Sequence, residues 1–433
     1  MNARFYRWYD AQILHLLLMD DCMAPSISAR ATDELVRIGR ETMSTSYNPQ
    51  PIVIERGEGV RVTDREGRSY LDFLAGIAVC GLGHGHPALM NALREQLDRG
   101  VLHVSNGVFT EPQVLLQEML TQISFADRVF FSNSGAEANE AAIKLARRYQ
   151  QVVKKTPRFE IITFKGSFHG RTYGALSATG QPKYHAGFEP MVPGFKYADF
   201  NDLASVEALI GPHTAAIMLE FVQGEGGVRE GTPEFIQGLR ALCDREGILL
   251  ISDEVQTGIG RTGTWFAYEH YGVAPDIMTL AKALGGGVPV GAMLATDEVY
   301  QGFQRGSHAT TFGGNPLAAS AGLAVLQAMD EGGILAHAQE IAAYLDEKMQ
   351  ELKGRVDVIQ EVRGKGLLKG FALDDSKVNA PDVVSHCRAR GLLCNVAGGT
   401  VLRLVPPLII ERSDVDEAIE IIEAALQDAL AAK

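Results

Sequence analysis

A lysine inside an apolar, glycine-rich segment is the first candidate for chemistry in this sequence. Lys282 stands between two alanines and is followed by Leu284 and by three glycines at 285–287. Apolar surroundings disfavour the charged ammonium form, so they lower the pKa of a lysine and leave an amine that can form an imine. The glycines would let the backbone approach a bulky adduct closely. The alternative interpretation is an ordinary surface lysine before a turn.

An acidic pair ends the apolar run at 248–252, where Asp253 and Glu254 are followed by Val255 and Gln256. A carboxylate at the end of a buried strand is unfavourable unless a cation or hydrogen-bond donors meet it. If the strand continues, Asp253 and Val255 face the same side. A positively charged heterocycle that rests on Val255 and donates its N–H to Asp253 would satisfy both residues. A structural salt bridge is the alternative.

A turn of small residues that includes Ser134 and Gly135 follows the apolar run at 129–131. It leads into a segment, 136–149, whose Ala, Glu, Lys and Arg content is typical of a helix. The first N–H groups of a helix, together with the positive end of its dipole, bind phosphate groups. The turn therefore indicates an anion site, and an ordinary capped helix is the alternative.

The elements that would position these residues alternate between short apolar runs and amphipathic segments from about residue 48 to about residue 296. This alternation predicts an α/β domain with a mainly parallel sheet, whose ligands collect beyond the carboxyl ends of the strands. Thr232, Pro233 and Gly247 fit the start and the end of a helix before the strand at 248–252. From about residue 332 the pattern predicts a smaller α+β domain. The predicted strands of the first domain lie at 129–132, 160–164, 216–219, 248–252, 277–280 and 291–294.

Composition excludes several classes of protein. The 433 residues carry a net charge of −13, which disfavours nonspecific binding to nucleic-acid phosphates. Five cysteines without a C-x-x-C pair fit neither a disulfide framework nor a zinc site, and they indicate a reducing, cytoplasmic environment. His84 and His86 have no second cluster at metal-ligand spacing, so no metal is expected. The G-x-G-x-x-G at 258–263 matches a dinucleotide loop poorly, because five residues, two of them acidic, separate it from its strand.

The first 46 residues are interpreted as an N-terminal extension. The apolar run at 13–19 is too short to span a bilayer. It follows two arginines, so a secretion signal is one interpretation, but two aspartates come directly after it and no small-residue cleavage site is evident. The preferred interpretation is a start site assigned too far upstream, with Met19, Met23 or Met43 as the alternatives.

An imine-forming lysine, an acid for a ring nitrogen and a phosphate site at a helix start together resemble the fold-type I pyridoxal-phosphate enzymes. More closely, the chain is similar to the class III aminotransferases, within their acetylornithine aminotransferase branch, from about Tyr47 to the C-terminus. The resemblance implies a large domain with a mainly parallel sheet and a smaller α+β C-terminal domain. The motifs that carry it are RGEGV at 56–60, LGHGHP at 82–87, NSGAEANE at 133–140, FHGRT at 168–172, QGEGG at 223–227, DEVQTG at 253–258 and TFGGNP at 311–316.

By this resemblance the cofactor is pyridoxal 5′-phosphate. Lys282 would bind it through an imine and would carry a proton between the substrate Cα and the cofactor. Asp253 would keep the ring nitrogen protonated, so that the ring withdraws electrons. Phe168 and Val255 would lie on the two faces of the ring, and Gln256 would lie near its hydroxyl group.

The resemblance also implies a phosphate site and a dimer. Ser134, Gly135 and Ala136 would bind the phosphate group. Thr311 would complete that site from the neighbouring subunit, which implies an obligate homodimer with shared active sites. Neither a nucleic acid nor a membrane is expected as a partner.

For the substrates, the resemblance implies two arginines with different tasks. Arg171 would bind the α-carboxylate of an acylated ornithine, and Arg403 would bind the α-carboxylate of 2-oxoglutarate. A planar guanidinium suits such bidentate contacts. Glu225 would pair with Arg403 while the amine donor is bound and would release it for the dicarboxylate. Thr310 would offer its hydroxyl group to the substrate.

The implied reaction is transamination of N2-acetyl-L-ornithine with 2-oxoglutarate to N-acetyl-L-glutamate 5-semialdehyde and L-glutamate, a step of arginine biosynthesis. Succinylornithine, ornithine and 4-aminobutyrate are alternative donors. An aminomutase, a decarboxylase or a binding-only protein are the alternatives outside amino transfer. The predicted domains are an N-terminal extension at 1–46, a segment at 47–85 that packs with the small domain, a large cofactor-binding domain at 86–331 and a small domain at 332–433.

Overall fold

The computed structural model describes residues 30 to 431. The apolar run at 13–19 and Cys22 lie outside the described residues, as do the alternative start sites Met19 and Met23. The described residues form two compact units: the smaller comprises residues 30–56 together with Thr63–Arg68, and the larger comprises Gly57–Val62 and residues 69–431. Within residues 30 to 431, no helix is both long enough and apolar enough to cross a bilayer.

Helices and strands alternate along much of the described chain. The regular α-helices are α1 Thr32–Thr42, α2 Pro87–Asp98, α3 Glu111–Gln122, α4 Gly135–Arg148, α5 Tyr173–Ala178, α6 Leu203–Glu207, α7 Pro233–Glu246, α8 Asp297–Tyr300, α9 Pro316–Glu331, α10 Ile334–Arg355, α11 Ala380–Ala389 and α12 Arg412–Ala431. The strands are β1 Ile54–Glu58, β2 Arg61–Asp64, β3 Ser69–Asp72, β4 Arg128–Ser132, β5 Glu160–Phe164, β6 Phe195–Ala198, β7 Thr214–Leu219, β8 Val222–Gln223, β9 Arg229–Glu230, β10 Leu249–Asp253, β11 Ile277–Leu280, β12 Gly291–Ala295, β13 Ile359–Lys365, β14 Leu368–Leu373, β15 Leu392–Leu393, β16 Asn395–Ala397 and β17 Val401–Leu404.

A seven-stranded sheet forms the centre of the larger unit. Its strand order is β4, β12, β11, β10, β7, β5 and β6, and every strand except β12 runs in the same direction. All residues of β7, β10, β11 and β12 are buried. Strands that are covered on both faces appear in a sequence as continuous apolar runs. The predicted α/β fold with a mainly parallel sheet is confirmed.

The predicted strands of this sheet agree with the observed ones to within two residues. Strands β5 and β11 have the predicted bounds, and β7 begins two residues before the predicted start, at Thr214. Strand β6, at the edge of the sheet, is missing from the predicted set. Three of its four residues are only partly buried, so an apolar run does not mark it.

A second sheet forms the core of the C-terminal region, in the order β13, β14, β17 and β16. Strand β14 is buried at every position and pairs antiparallel with both β13 and β17. Helix α12 packs against α10 and α11. This is the smaller α+β region that the sequence indicated beyond residue 332, while the division into four domains at the stated boundaries stays a prediction.

A left-handed turn at Ala75–Ala78 was not anticipated from the sequence. All four residues have a positive φ, between 47° and 67°. This conformation is unfavourable for a residue with a side chain and most of all for a β-branched one such as Ile77. The carboxylate of Asp72 holds the turn, because its Oδ1 accepts hydrogen bonds from the N–H groups of Leu74 at 3.1 Å and Ala75 at 2.8 Å.

The predicted residues at the start and the end of the helix before β10 are in place. The Thr232 side chain accepts a hydrogen bond from the N–H of Phe235, and Pro233 occupies the first turn of α7. Gly247 ends the helix with φ 63°, and its N–H donates to the Cys243 carbonyl. These caps fix where α7 ends and therefore where the buried strand β10 begins.

Replacing Thr232 by Ala removes the side-chain acceptor at the start of α7. We expect Thr232→Ala to lower the free energy of unfolding by about 1 kcal/mol, measured by urea unfolding and far-UV circular dichroism. Thr121→Ala is the matched control, because the Thr121 hydroxyl only donates to the Glu118 carbonyl on an exposed helix face. We expect its effect to stay below about 0.5 kcal/mol. Equal effects of the two substitutions would contradict the capping role.

Candidate active site

A cavity of about 460 Å³ lies where β4, β10 and β11 end. Its volume is in the range of small-molecule sites in proteins. Residues that are far apart in the chain meet in its walls, because parallel strands end at the same edge of the sheet. Of the residues singled out from the sequence, the walls contain Ser134, Gly135, Ala136, Phe168, Arg171, Glu225, Asp253, Val255, Gln256 and Lys282.

Lys282 follows β11 and lines this cavity in a left-handed backbone conformation, with φ 47°. Burial lowers the pKa of its amine to about 8. The positive charge of Arg403 contributes to the lowering, whereas the carboxylates of Glu225, Asp253 and Glu220 oppose it. The neutral, nucleophilic form of the amine is therefore accessible near neutral pH.

The carboxylate of Asp253 is buried at the end of β10 and meets hydrogen-bond donors on both oxygens. Its Oδ2 accepts from Asn139 Nδ2 at 2.8 Å and from His169 Nδ1 at 2.7 Å. Its Oδ1 accepts from the N–H of Val255 at 3.0 Å, so the chain turns after Asp253 instead of continuing the strand. The hydroxyl of Thr279 donates to Asn139 Oδ1 at 2.7 Å and fixes the orientation of that amide.

The start of helix α4 forms another wall of the cavity. Ser134 caps the helix, and its hydroxyl accepts from the N–H of Glu137 at 3.2 Å. The N–H groups of the first turn have no acceptor within a helix and attract anions. Gly135 lets the helix start approach Val255, since a Cβ at this position would come within 2.7 Å of Val255 Cγ1.

Arg171 lies exposed at the mouth of the cavity. Its guanidinium carbon is 3.9 Å from the ring centroid of Tyr184 and 5.5 Å from that of Phe168, so both aromatic rings orient it. Among residues 30 to 431, no carboxylate forms an ion pair with Arg171. Its charge is therefore available to an anion that enters the cavity.

Arg403 lies on β17 and is held by three side chains. Its Nη1 forms an ion pair with Glu225 Oε1 at 2.6 Å and donates to Gln256 Oε1 at 3.2 Å, and its Nε donates to Asn395 Oδ1 at 3.1 Å. The Arg403 side chain is fully buried, whereas that of Glu225 is 26% exposed. Nη2 of Arg403 is buried, and no acceptor within the described chain meets it.

Thr310 and Thr311 do not line the first cavity. They border a second cavity of about 370 Å³, together with Asn133 and Glu137 at the start of α4. The Thr310 hydroxyl accepts from the N–H of Gly313 at 3.1 Å, and Thr311 is exposed. One chain alone therefore does not bring either threonine to Lys282.

Three residues of the site were not predicted from the sequence: Glu220, His169 and Asn139. Glu220 directly follows β7 and lines the cavity, and its carboxylate accepts from the N–H of Phe168 at 2.9 Å and of Gly224 at 3.4 Å. Burial raises the pKa of Glu220 to about 7. Its position after a buried strand is the same signal that identified Asp253. For His169 and Asn139 the sequence offers no comparable signal.

The two histidines of the H-x-H motif are not arranged as metal ligands. His84 Nε2 is hydrogen-bonded to Asp72 Oδ2 at 2.8 Å. Within residues 30 to 431, no group of three or more His, Cys, Asp or Glu side chains is placed to hold a metal ion.

The sheet, with a lysine, an acid and a helix start around one cavity, defines a fold-type I transferase. The family model of the class III aminotransferases matches residues 42–426. The chain belongs to this family.

Individual relatives agree with the family assignment. An acetylornithine aminotransferase of Caldanaerobacter subterraneus is 48% identical over 91% of this chain and 99% of its own length. A succinylornithine transaminase of Yersinia enterocolitica is 45% identical over 88% of this chain and 93% of its own. The crystal structure of an ornithine aminotransferase from Toxoplasma gondii superposes with a TM-score of 0.89 at 33% identity, covering 93% of this chain and 97% of that one.

The cofactor of the family, and of this chain, is pyridoxal 5′-phosphate. The cavity has the groups that this molecule needs: a helix start for an anion, a buried carboxylate for a protonated ring nitrogen, and an amine of lowered pKa for an aldehyde. The glycine at 135 keeps the helix start open, because a side chain there would collide with Val255. The residues present therefore fit the cofactor.

The charges of Arg403 and Glu225, which form an ion pair, should shift the pKa of Lys282 in opposite directions. We expect Arg403→Gln to raise it from about 8, because a positive charge that disfavours the ammonium form is removed, and Glu225→Gln to lower it. The rate at which the cofactor-free protein takes up pyridoxal phosphate, measured by absorbance against pH, reports the neutral amine. Arg412→Gln, at an exposed arginine paired with Glu340, is the control. Shifts of the same sign in the two site variants would contradict the assignment.

Proposed function

We propose that this chain transfers the terminal amino group of N2-acetyl-L-ornithine to 2-oxoglutarate, producing N-acetyl-L-glutamate 5-semialdehyde and L-glutamate. The observation that carries the proposal is the contrast between two arginines at one cavity. Arg171 is exposed and has no ion-pair partner among residues 30 to 431, whereas Arg403 is buried and paired with Glu225. Such a site is suited to two substrates that differ by one carboxylate.

In this proposal the walls of the cavity hold the cofactor by its phosphate and its ring. Ser134, Gly135 and Ala136 bind the phosphate at the start of α4. Donors meet both oxygens of the Asp253 carboxylate, and this fixed carboxylate is the proposed partner of the ring nitrogen's N–H. When bound, pyridoxal phosphate supplies an aldehyde and an electron-withdrawing ring for amino transfer.

Lys282 is the proposed acid and base of the reaction. A pKa of about 8 lets its amine accept a proton from the substrate carbon next to the reacting nitrogen and then return it at neutral pH. Phe168 and Val255 confine the ring between them, and the N–H of Phe168 is held by Glu220. Gln256 takes the place near the ring hydroxyl and also accepts a hydrogen bond from Arg403.

Glu225 is the proposed switch between the two substrates. A fully buried guanidinium without a counter-charge is strongly unfavourable, so Arg403 needs Glu225 while the amine donor occupies the cavity. The α-carboxylate of 2-oxoglutarate replaces Glu225 on Arg403, and the partial exposure of the Glu225 side chain lets its displaced carboxylate reach water. Thr310 is the remaining proposed substrate contact, although it borders the second cavity and one chain alone does not bring it to Lys282.

The acylated donor is favoured by the comparison with relatives. The acetylornithine and succinylornithine enzymes are 48% and 45% identical to this chain over 91% and 88% of its length. N2-succinylornithine is therefore the second candidate donor. The two acyl groups differ by a carboxylate, so the residues around Arg171 decide between them.

A homodimer with shared sites is part of the proposal. Thr311 is exposed in one chain and stands next to Phe312, whose side chain is 59% exposed. Phe109 is 93% exposed. Large exposed apolar patches are typical of protein interfaces. Besides Phe109, the large apolar residues that are exposed between positions 97 and 115 are Leu97, Val101, Leu102, Val108, Val114 and Leu115.

The proposed location is the cytoplasm. Cys80, Cys243, Cys387 and Cys394 carry free thiols in the described chain, which suits a reducing environment.

A panel of four amine donors with 2-oxoglutarate tests the reaction. We expect kcat/KM to be highest for acetylornithine or succinylornithine, and we expect Arg171→Gln to raise KM for both by about 10- to 100-fold, the value of a charged hydrogen bond. Ornithine and 4-aminobutyrate complete the panel. A preference for free ornithine by a factor of about 100 would contradict the proposal. Turnover of an amino-aldehyde without any oxo acid would instead identify an aminomutase.

Mixed dimers test whether Thr311 acts across the subunit interface. Thr311→Asp should repel the phosphate group of the cofactor, and Lys282→Ala removes the proposed acid and base, so each variant alone should be nearly inactive. A hybrid dimer of the two variants should recover one native site, because Lys282 of one chain and Thr311 of the other would both be intact there. Activity of co-expressed and separately purified dimers measures this. A hybrid as inactive as its parents would show that each site is built from one chain.

A further inference from the structure

The G-x-G-x-x-G segment at residues 258–263 contains a buried cation that the proposed reaction does not use. Arg261 is only 1% exposed. Within residues 30 to 431 no carboxylate forms an ion pair with it, and its Nε and Nη2 atoms have no hydrogen-bond partner. Taking a guanidinium out of water without a counter-charge is costly. A residue kept in such a position needs an explanation beyond packing.

The contacts of Arg261 lie at the ends of two neighbouring strands of the C-terminal sheet. Its Nη1 donates to the carbonyl of Leu367 at 3.1 Å and to the carbonyl of Pro406. Leu367 directly precedes β14, and Pro406 follows two residues after β17. In return, the N–H of Leu367 donates to the Arg261 carbonyl at 2.9 Å. One guanidinium thus connects the segment after β10 to the adjoining ends of β14 and β17.

Strand β17 is also the strand that carries Arg403. Arg403 stands opposite Gly370 of β14 and Asn395 of β16. Its side chain donates to Gln256, which belongs to the same segment after β10 as Arg261. The segment therefore contacts β17 at two points, through Gln256 at the Arg403 side chain and through Arg261 at the strand end.

The close approach of this segment to β14 depends on a glycine. Gly366 has φ +59°, and a Cβ there would lie 2.4 Å from the carbonyl carbon of Thr262 and 2.7 Å from the carbonyl oxygen of Arg261. A side chain at position 366 would push the two segments apart. Both segments therefore contribute to the contact, one through the hydrogen bonds of Arg261 and the other through the absence of a side chain at Gly366.

We propose that Arg261 is a positioning residue for Arg403, which fixes the end of β17 so that the Arg403 guanidinium reaches the carboxylate of the oxo-acid substrate. This inference rests on the proposed function, because it takes Arg403 as the group that binds the dicarboxylate. Burial lowers the pKa of Arg261 to about 9, which still leaves it protonated at neutral pH. A protonated guanidinium offers a single planar group that can donate to two carbonyls, whereas a lysine ammonium lacks this fixed geometry.

The test compares the binding of a dicarboxylate with the use of the amine donor. Glutarate binding to the cofactor-loaded enzyme is measured by calorimetry, and KM and kcat are measured for acetylornithine and for 2-oxoglutarate. We expect Arg261→Met to weaken glutarate binding and to raise KM for 2-oxoglutarate by about 10- to 100-fold, the effect of a displacement of about 1 Å. KM for acetylornithine should change less than twofold, since its carboxylate is assigned to Arg171.

Three further variants make the outcome decisive. Arg261→Lys keeps the charge and should restore folding but not the full affinity for glutarate. If Arg261→Met is insoluble, Arg261→Lys is used for the same measurements. Gly366→Ala separates the same two segments without touching a charge and should act in the same direction. Arg412→Met, at an exposed arginine, is the matched control and should leave both substrates unaffected. Circular dichroism and thermal unfolding check the fold of each variant.

Two results would overturn the inference. If Arg261→Met and Arg261→Lys leave glutarate binding unchanged, or if they raise KM for both substrates equally, Arg261 only stabilises the fold. Arg403→Lys is measured in parallel, to distinguish failure of this inference from failure of the proposed function. If Arg403→Lys also leaves glutarate binding unchanged, the assignment of Arg403 itself is wrong. If Arg403→Lys abolishes binding while the Arg261 variants do not affect it, only the positioning role fails.

Discussion

The buried carboxylate of Asp253 is the constraint on which the site depends. A charge removed from water has to be met by donors, and here Asn139 on α4 and His169 supply them. Asn139 also donates to the His169 carbonyl at 2.7 Å and accepts from Thr279 on β11. Helix α4, the ends of β10 and β11 and the 168–171 segment are therefore tied together through one acid. These contacts are made by the chain's own side chains, and groups held in fixed positions are the condition for strong electrostatic effects in catalysis.

Some of the strained backbone of the described chain lies at the same cavity. Lys282 has a positive φ, and so have the four residues of the turn at Ala75–Ala78, which leads into the cavity residue Val79. Such conformations cost free energy and persist only where the surrounding contacts determine them. Around Lys282 the buried strand β11 precedes the lysine, and a left-handed Gly286 follows it. The backbone conformation thus sets the direction in which the Lys282 side chain leaves the main chain.

The sequence was informative wherever chemistry directly follows a buried strand. Asp253 and Lys282 could be found because charged residues after apolar runs are unusual, and Glu220 obeys the same rule. His169 and Asn139 could not be found, because they are 84 and 114 residues from their partner Asp253 and only the strand order brings them to it. The roles of Arg171, Glu225 and Arg403 came from the family resemblance. The proposed role of Thr311 depends on a second chain, so neither periodicity nor the structure of one chain contains it.

The ion pair between Glu225 and Arg403 has a consequence for the energetics of the acceptor. Under the proposed function, Glu225 competes with the oxo acid, since it occupies the Arg403 guanidinium to which the oxo acid would bind. The apparent affinity for the oxo acid is the intrinsic affinity reduced by the fraction of molecules in which Glu225 has left. A substitution that weakens the pair would therefore tighten acceptor binding. It would also leave the buried Arg403 without its counter-charge while the donor is bound. The enzyme would then bind the oxo acid more tightly but would distinguish less well between its two substrates.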